Sequence, residues 1–121
     1  AAKKGQHITT KFLLNYGADP DAASPTGKTP LMYAAAYGHQ NTVRCLVERG
    51  ANVNAVDKNG RSALFFAAET GMYQMVEILV KNGANMDLVD VNGVSATGAA
   101  TAKGHRRTAT LLNYLNRVSH L

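Results

Sequence analysis

The chain has 121 residues, of which 45% are hydrophobic and 17% charged, and it carries a formal net charge of +5. This length suits one cooperative domain, and we expect neither a transmembrane helix nor a secretory signal, because no apolar run approaches ~18 residues and the first residues are polar or small. The single cysteine, Cys45, cannot form an internal disulfide and favours a reducing compartment, so we expect an intracellular protein, cytoplasmic or nuclear.

A period of 33 residues organises the whole chain. Ten of the 11 glycines fall on three common phases: Gly5, Gly38, Gly71 and Gly104; Gly17, Gly50 and Gly83; and Gly27, Gly60 and Gly93. The leucines Leu13, Leu46, Leu79 and Leu112 keep the same spacing. Self-similarity at such a period is the signature of a stacked repeat protein.

Residues 1–23 match only part of this pattern. Phe12 and Leu13 share the phase of later apolar pairs, and Gly17 shares the phase of a helix-ending glycine. The helix that should precede them is missing, so we interpret this segment as a partial repeat holding a second helix and a loop. Such a start indicates either a chain cut from something longer or an unusual N-terminal cap.

Residues 24–56 form the first full repeat, with two predicted helices. The first spans 29–36, where Thr29 can cap the N-terminus and Pro30 fits the first helical position. In the second, Val43, Leu46 and Val47 have the i, i+3, i+4 spacing of one buried face. Gly38 should end the first helix in a tight turn, and Gly50 should cap the second in a left-handed conformation.

Residues 57–89 repeat this design. Asp57-Lys58-Asn59-Gly60 predicts a β-turn, since aspartate favours its first position and glycine supplies positive φ. A first helix is predicted over 62–70, followed by a second helix in which Val76, Leu79 and Val80 form the apolar face.

Residues 90–121 form a degenerate last repeat that we interpret as a C-terminal cap. A β-turn at 90–93 and a short helix over 95–102 are predicted, but Gly98 should cost that helix about 1 kcal/mol. The final helix lacks a glycine at its end and should run to about Ser119, with a polar outer surface that stops the stack.

The residues at these phases resemble the ankyrin repeat over essentially the whole chain. The matching stretches are Gly-Lys-Thr-Pro-Leu-Met-Tyr-Ala-Ala at 27–35, Gly-His at 38–39 and Leu-Val-Glu-Arg-Gly-Ala-Asn-Val-Asn at 46–54. The resemblance implies an all-α fold with short hairpin loops, an ankyrin-type solenoid of about three repeats plus the partial N-terminal repeat. The histidine usual in the Thr-Pro-Leu-His stretch is replaced by Met32, Phe65 and Gly98, so its hydrogen bond is not available.

No residues suggest catalysis, a cofactor or a metal site. His39 and His105 occupy the same position in repeats that are two periods apart, so the repeat pattern accounts for both histidines without a metal site. Cys45 aligns with Ile78 and Leu111 and is interpreted as a small core residue. We therefore expect a non-catalytic, monomeric protein of the interaction, scaffold or adaptor class, such as signalling proteins use.

The resemblance implies that hairpin tips and first helices contact a partner protein or peptide. By position these residues are Pro25, Thr26, Lys28, Tyr33, Ala36, Tyr37, Lys58, Asn59, Arg61, Phe66, Glu69, Thr70, Val91, Asn92 and Val94. Tyr and Arg are the residue types that often dominate interface energetics. Because Tyr33 and Phe66 share a phase, they either contact the partner or pack between repeats.

The charge of the hairpin side suggests the partner's character. Lys28, Lys58 and Arg61 make that side basic, so we hypothesise an acidic partner segment with Tyr37 as an aromatic anchor. An alternative is contact of Lys103, Arg106 and Arg107 with nucleic acid or anionic lipid. The basic excess sits mostly at the two chain ends, however, and not along the continuous stripe that phosphate tracking favours. A third reading is a structural spacer between flanking domains.

One modification is also implied by the resemblance. The stretch at 46–54 is similar to the ankyrin stretch whose final asparagine can be hydroxylated, which makes Asn54 the candidate. The equivalent positions in the neighbouring repeats are Asp21 and Asp87.

Overall fold

The structure is a computed structural model, and it describes residues 26–119. Within that range lie six helices: α1 (Pro30–Ala36), α2 (Gln40–Glu48), α3 (Ala63–Glu69), α4 (Tyr73–Lys81), α5 (Ala96–Ala102) and α6 (Arg106–Ser119). The same range contains no strand, only two isolated antiparallel bridges that join Val56 to Ser62 and Val89 to Ser95. The predicted partial repeat at 1–23 and the predicted contact Pro25 lie outside the described residues.

The helices pack in two layers. The first helices α1, α3 and α5 contact one another in order and form the inner layer, while α2, α4 and α6 form the outer layer. Each first helix also packs against the second helix that follows it. The all-α solenoid predicted from the repeat is therefore confirmed.

Hydroxyl caps start the three first helices as predicted. The side-chain oxygens of Thr29, Ser62 and Ser95 accept from the backbone N–H groups of Met32, Phe65 and Gly98 at 3.4, 3.3 and 3.1 Å. Each bond satisfies one of the amides that a helix leaves unpaired at its N-terminus. In α1 the sulfur of Met32 also accepts from the N–H of Thr29 at 3.4 Å, so a weak acceptor stands where the family's histidine is missing.

A continuous apolar core lies between the two layers. Leu46, Leu79 and Leu112 are completely buried, and so are Val43 and Val76. The small residues Ala34 and Ala35 of α1 and Ala67 and Ala68 of α3 are buried, and these two helices pack against each other. Cys45 is half-buried and packs against this core, in agreement with its prediction as a small core residue.

The helix ends follow the glycine phases. Every positive-φ residue in the described range is a glycine, and Gly38, Gly50, Gly71, Gly83 and Gly104 all stand at helix ends. Helix α6 runs to Ser119 as predicted, five residues longer than the nine-residue α2 and α4. None of the helices between residues 26 and 119 is both long and apolar enough to cross a membrane.

Candidate partner-binding face

The hairpin tips are built around a buried aspartate. The carboxylate oxygen Oδ1 of Asp57 accepts from the backbone N–H groups of Asn59 and Arg61, each at 2.9 Å. Asp90 makes the same pair of bonds to Asn92 and Val94, again at 2.9 Å. Because one carboxylate satisfies two turn amides, each tip holds a fixed shape and presents its intervening side chains outward.

Successive tips are joined by backbone hydrogen bonds. The N–H of Lys58 donates to the carbonyl of Thr26 at 3.1 Å, and that of Val91 donates to the carbonyl of Asn59 at 2.9 Å. This ladder aligns the three tips along the solenoid. The side chains of Thr26, Lys58, Asn59, Val91 and Asn92 are exposed there, and 69% of Val91 is open to solvent.

Beside the tips, the inner layer has a cavity of about 230 Å³, which we call the inner cavity. Its lining comes from α1 and α3 and from residues next to them: Lys28, Met32, Tyr33, Ala36, Tyr37, Phe66, Glu69 and Thr70. Seven of these eight were predicted as partner contacts, so the structure brings them together in one place. Sequence reasoning missed Met32, whose buried side chain gave no sign that it also lines a surface cavity.

The inner cavity distinguishes Tyr33 from Phe66, although they share a phase. Tyr33 is 43% exposed and Tyr37 56%, whereas Phe66 is only 8% exposed and belongs to the core. The ammonium nitrogen of Lys28 lies 5.5 Å from the centroid of the Phe66 ring. Two tyrosines are thus available to a partner, while Phe66 packs between repeats and contributes part of the cavity wall.

Arg61 is less accessible than Lys58, the other predicted cation of the second tip. Its guanidinium carbon lies 5.4 Å from the centroid of the Phe65 ring, and the residue is half-buried. Its Nε is buried and makes no hydrogen bond in the described part of the chain. The exposed charge of the second tip therefore comes mainly from Lys58.

Asn54 lies in the loop after α2, away from the inner cavity. Its amide nitrogen donates to the carbonyl of Gly83 at 3.1 Å, and its amide oxygen accepts from the N–H of Asn85 at 2.6 Å. The side chain therefore links two successive repeats while the residue remains exposed.

Between residues 26 and 119, no three His, Cys, Asp or Glu side chains are grouped to hold a metal ion.

Comparison with known proteins agrees with this architecture. The family model described as ankyrin repeats (3 copies) matches residues 1–90 and 50–117. The ARF GTPase-activating protein GIT1 of Homo sapiens is 46% identical over 39 residues, and the proteins of that name from Mus musculus and Rattus norvegicus match equally. The match covers 32% of this chain but only 5% of each of these much longer relatives. Because this family model matches nearly the whole length of the chain, the chain belongs to the ankyrin repeat family.

Proposed function

We propose that this chain is a non-catalytic module that binds a partner protein or peptide through its hairpin tips and inner layer. Ankyrin repeats generally mediate protein–protein interaction, which supports this class of function. The observation that carries the proposal is the inner cavity, where two exposed tyrosines surround a space of about 230 Å³ beside the ladder of tips. Fold alone does not name a ligand, and it is this cavity that favours a partner segment.

The shape of the inner cavity favours a partner segment with one apolar anchor. Met32 and Phe66 give it an apolar wall, and Tyr33 and Tyr37 stand at its exposed side. Aromatic residues around a concave surface commonly supply most of the binding energy, because they bury a large area with little loss of conformational entropy. A partner leucine, methionine or aromatic residue fits such a space.

The charge around the cavity supports an acidic partner segment. Lys28 lines the cavity and Lys58 is exposed at the adjacent tip, whereas the carboxylate of Asp57 is buried and bonded to its own turn. Glu69 is the acid among the lining residues. Basic residues at an interface chiefly raise the association rate and select partners, so binding should weaken as salt rises.

Affinity capture with matched variants tests this function. The wild-type chain should retain a partner that Tyr37→Ala loses and that Asn113→Ala, altered on the exposed surface of α6, keeps. The partner's binding segment, made as a synthetic peptide, should then bind the Lys58→Glu variant more weakly than the wild-type chain. Replacing the acidic residues of the peptide by their amides should also weaken its binding to the wild-type chain. Capture of identical proteins by all three chains would remove the inner cavity from consideration.

The peptide titration, a gel shift and vesicle sedimentation together distinguish a binding module from the two alternative functions. If the chain contacts nucleic acid or anionic lipid through Lys103, Arg106 and Arg107, a gel shift or vesicle sedimentation should show binding that falls steeply with salt. A spacer should bind neither peptide nor nucleic acid nor lipid.

We also propose an intracellular location, because the half-buried Cys45 is the only cysteine in the sequence and cannot form an internal disulfide.

Hydroxylation of Asn54 is a second proposal, independent of the partner. The exposure of Asn54 supports it, but an enzyme would first have to break the bonds to Gly83 and Asn85. Modification therefore requires local opening of the loop. The Asn54 peptide from protein expressed in its native cells should carry the mass of one added oxygen atom, and a spectrum with only the unmodified peptide contradicts the proposal.

A further inference from the structure

We propose that the chain has a second peptide site on its outer layer, which takes an acidic helical segment of a partner protein with apolar residues on one face. The site lies between α4 and α6, where a cavity of about 770 Å³ opens. We call it the outer groove; it is lined by Tyr73, Glu77, Arg106, Arg107, Thr110, Leu111, Tyr114 and Leu115.

The outer groove is separate from the inner cavity. The two share no lining residue, and they lie on different helix layers. A neighbouring cavity of about 390 Å³ shares Tyr73, Glu77 and Arg107 with the outer groove and extends to Gly38 and Gln40. The concave surface therefore continues along the outer layer across three second helices, which gives room for a segment of several residues.

The floor of the outer groove is apolar at helical spacing. Leu111 and Leu115 are half-buried, and Tyr114 is 63% exposed beside them. Arg107, Leu111 and Tyr114 lie at i, i+4 and i+7 and so share one face of α6. An exposed aromatic next to half-buried leucines is the arrangement that binds an apolar side chain of an amphipathic helix.

The charge of the outer groove selects the partner's polar residues. The guanidinium carbon of Arg107 lies 4.6 Å from the centroid of the Tyr73 ring, so the aromatic face attracts the cation and holds it beside α4. A guanidinium held over a ring in this way still has N–H groups for a carboxylate, which it can bind through two parallel hydrogen bonds. Arg106 lines the same wall, and α6 contains no acidic residue.

This combination favours a peptide over a phosphate polymer or a membrane. Two arginines beside Glu77 and an apolar floor give a short mixed surface, whereas nucleic acid requires a longer basic track. A carboxylate next to leucine or phenylalanine matches both parts of the outer groove. A segment built in that way would contact Arg107 and Tyr114 together.

The test uses the full chain and a defined probe. The probe is a blocked synthetic peptide of repeated Glu-Glu-Leu-Phe units, which places acidic and apolar residues on opposite sides of a helix. Titration into ¹⁵N-labelled protein should shift the amide signals of Thr110, Leu111 and Tyr114 with saturation. A peptide with lysine at every glutamate position, and one with serine at every apolar position, should not bind.

Variants locate the bound peptide. Arg107→Glu and Tyr114→Ala should each weaken the probe's affinity by about tenfold or more, which corresponds to ~1.4 kcal/mol. Arg44→Glu makes the same charge change at an exposed position of α2 outside the outer groove and should leave the affinity unchanged. Tyr114 is exposed, so its truncation should not unfold the chain, and circular dichroism confirms this for each variant.

Several results would overturn the proposal. They include no saturable shift at millimolar probe, an equal loss of affinity in Arg44→Glu, and loss of the shifts in Tyr37→Ala, which would place the peptide in the inner cavity. The same holds if single-stranded DNA or phosphatidylserine vesicles displace the peptide and bind more tightly. Shifts that depend on protein concentration without peptide would assign the outer groove to a second copy of the chain.

Discussion

His105 packs directly against Gly71, so closely that a β-carbon on Gly71 would lie 2.6 Å from Nδ1 of the imidazole and 2.8 Å from Cγ. Gly71 stands in the turn between α3 and α4 with φ at +71°, and His105 immediately precedes α6. The contact therefore joins the turns of two successive repeats and depends on the absence of a side chain at residue 71.

Replacement of Gly71 by alanine should destabilise the protein by about 3 kcal/mol. The left-handed backbone costs an alanine about 1–2 kcal/mol, and displacement of the imidazole adds an overpacking cost of similar size. Urea unfolding followed by circular dichroism measures the loss. Gly104→Ala is the matched control, because Gly104 has φ at +79° and nothing within 4 Å of its β-position, so it should show only the backbone cost. Equal losses in the two variants would mean that the contact with His105 contributes nothing.

The buried carboxylate of Asp57 should stabilise its hairpin tip mainly as a hydrogen-bond acceptor. Asp57→Ala leaves the N–H groups of Asn59 and Arg61 without their acceptor and should cost about 2 kcal/mol. Asp57→Asn retains an oxygen at the same place and should cost less than half of that. Unfolding midpoints of the two variants provide the comparison, and a similar loss in both would show that the negative charge matters more than the acceptor.

Local sequence patterns predict the boundaries of the helices correctly. The caps Thr29, Ser62 and Ser95 and the glycine phases fixed the helix starts and ends, because each depends on residues only a few positions away. Seven of the predicted partner contacts line the inner cavity, because the family resemblance places these positions on one face of the solenoid.

Other properties of the two sites depend on side chains from different repeats. Tyr33 and Phe66 have the same phase, but the Lys28 side chain reaches the Phe66 ring, and nothing local to either residue reveals this. The cation–π contact of Arg107 with Tyr73 joins residues 34 positions apart in neighbouring repeats. Such pairs become visible only when the repeats are stacked in their actual register.

Asn54 should stabilise the junction between two repeats through its two side-chain hydrogen bonds. Asn54→Ala removes the bonds to Gly83 and Asn85 and should cost about 1–2 kcal/mol, which is reduced by the exposure of the loop. Asn54→Asp can still accept from the N–H of Asn85 and should lose less. Amide hydrogen exchange should show faster exchange at Asn85 in the alanine variant, and unchanged exchange there would contradict the proposed link.

Gly98→Ala should stabilise the protein by about 0.5–1 kcal/mol, because alanine forms helices better than glycine and Gly98 has an ordinary helical backbone in α5. The added methyl would lie 3.3 Å from Cγ1 of Val94, a half-buried side chain that can move slightly to accept it. Thermal unfolding should show a higher Tm. A lower Tm would indicate that Val94 is held too firmly and that the small residue at 98 is required by packing.

Alanine variants of two exposed tyrosines should separate peptide binding at the inner cavity from peptide binding at the outer groove. Tyr37 is 56% exposed beside the inner cavity and Tyr114 is 63% exposed in the outer groove, so either alanine variant should change the free energy of unfolding by no more than about 0.5 kcal/mol. Tyr37→Ala should nevertheless reduce the affinity for an inner-layer partner by about tenfold or more, because it removes an aromatic anchor. Tyr114→Ala should leave that affinity intact and weaken only the acidic probe of the outer groove. Calorimetric titration of both variants with both peptides measures this double dissociation, and a loss of both affinities in either variant would show that the two surfaces do not act independently.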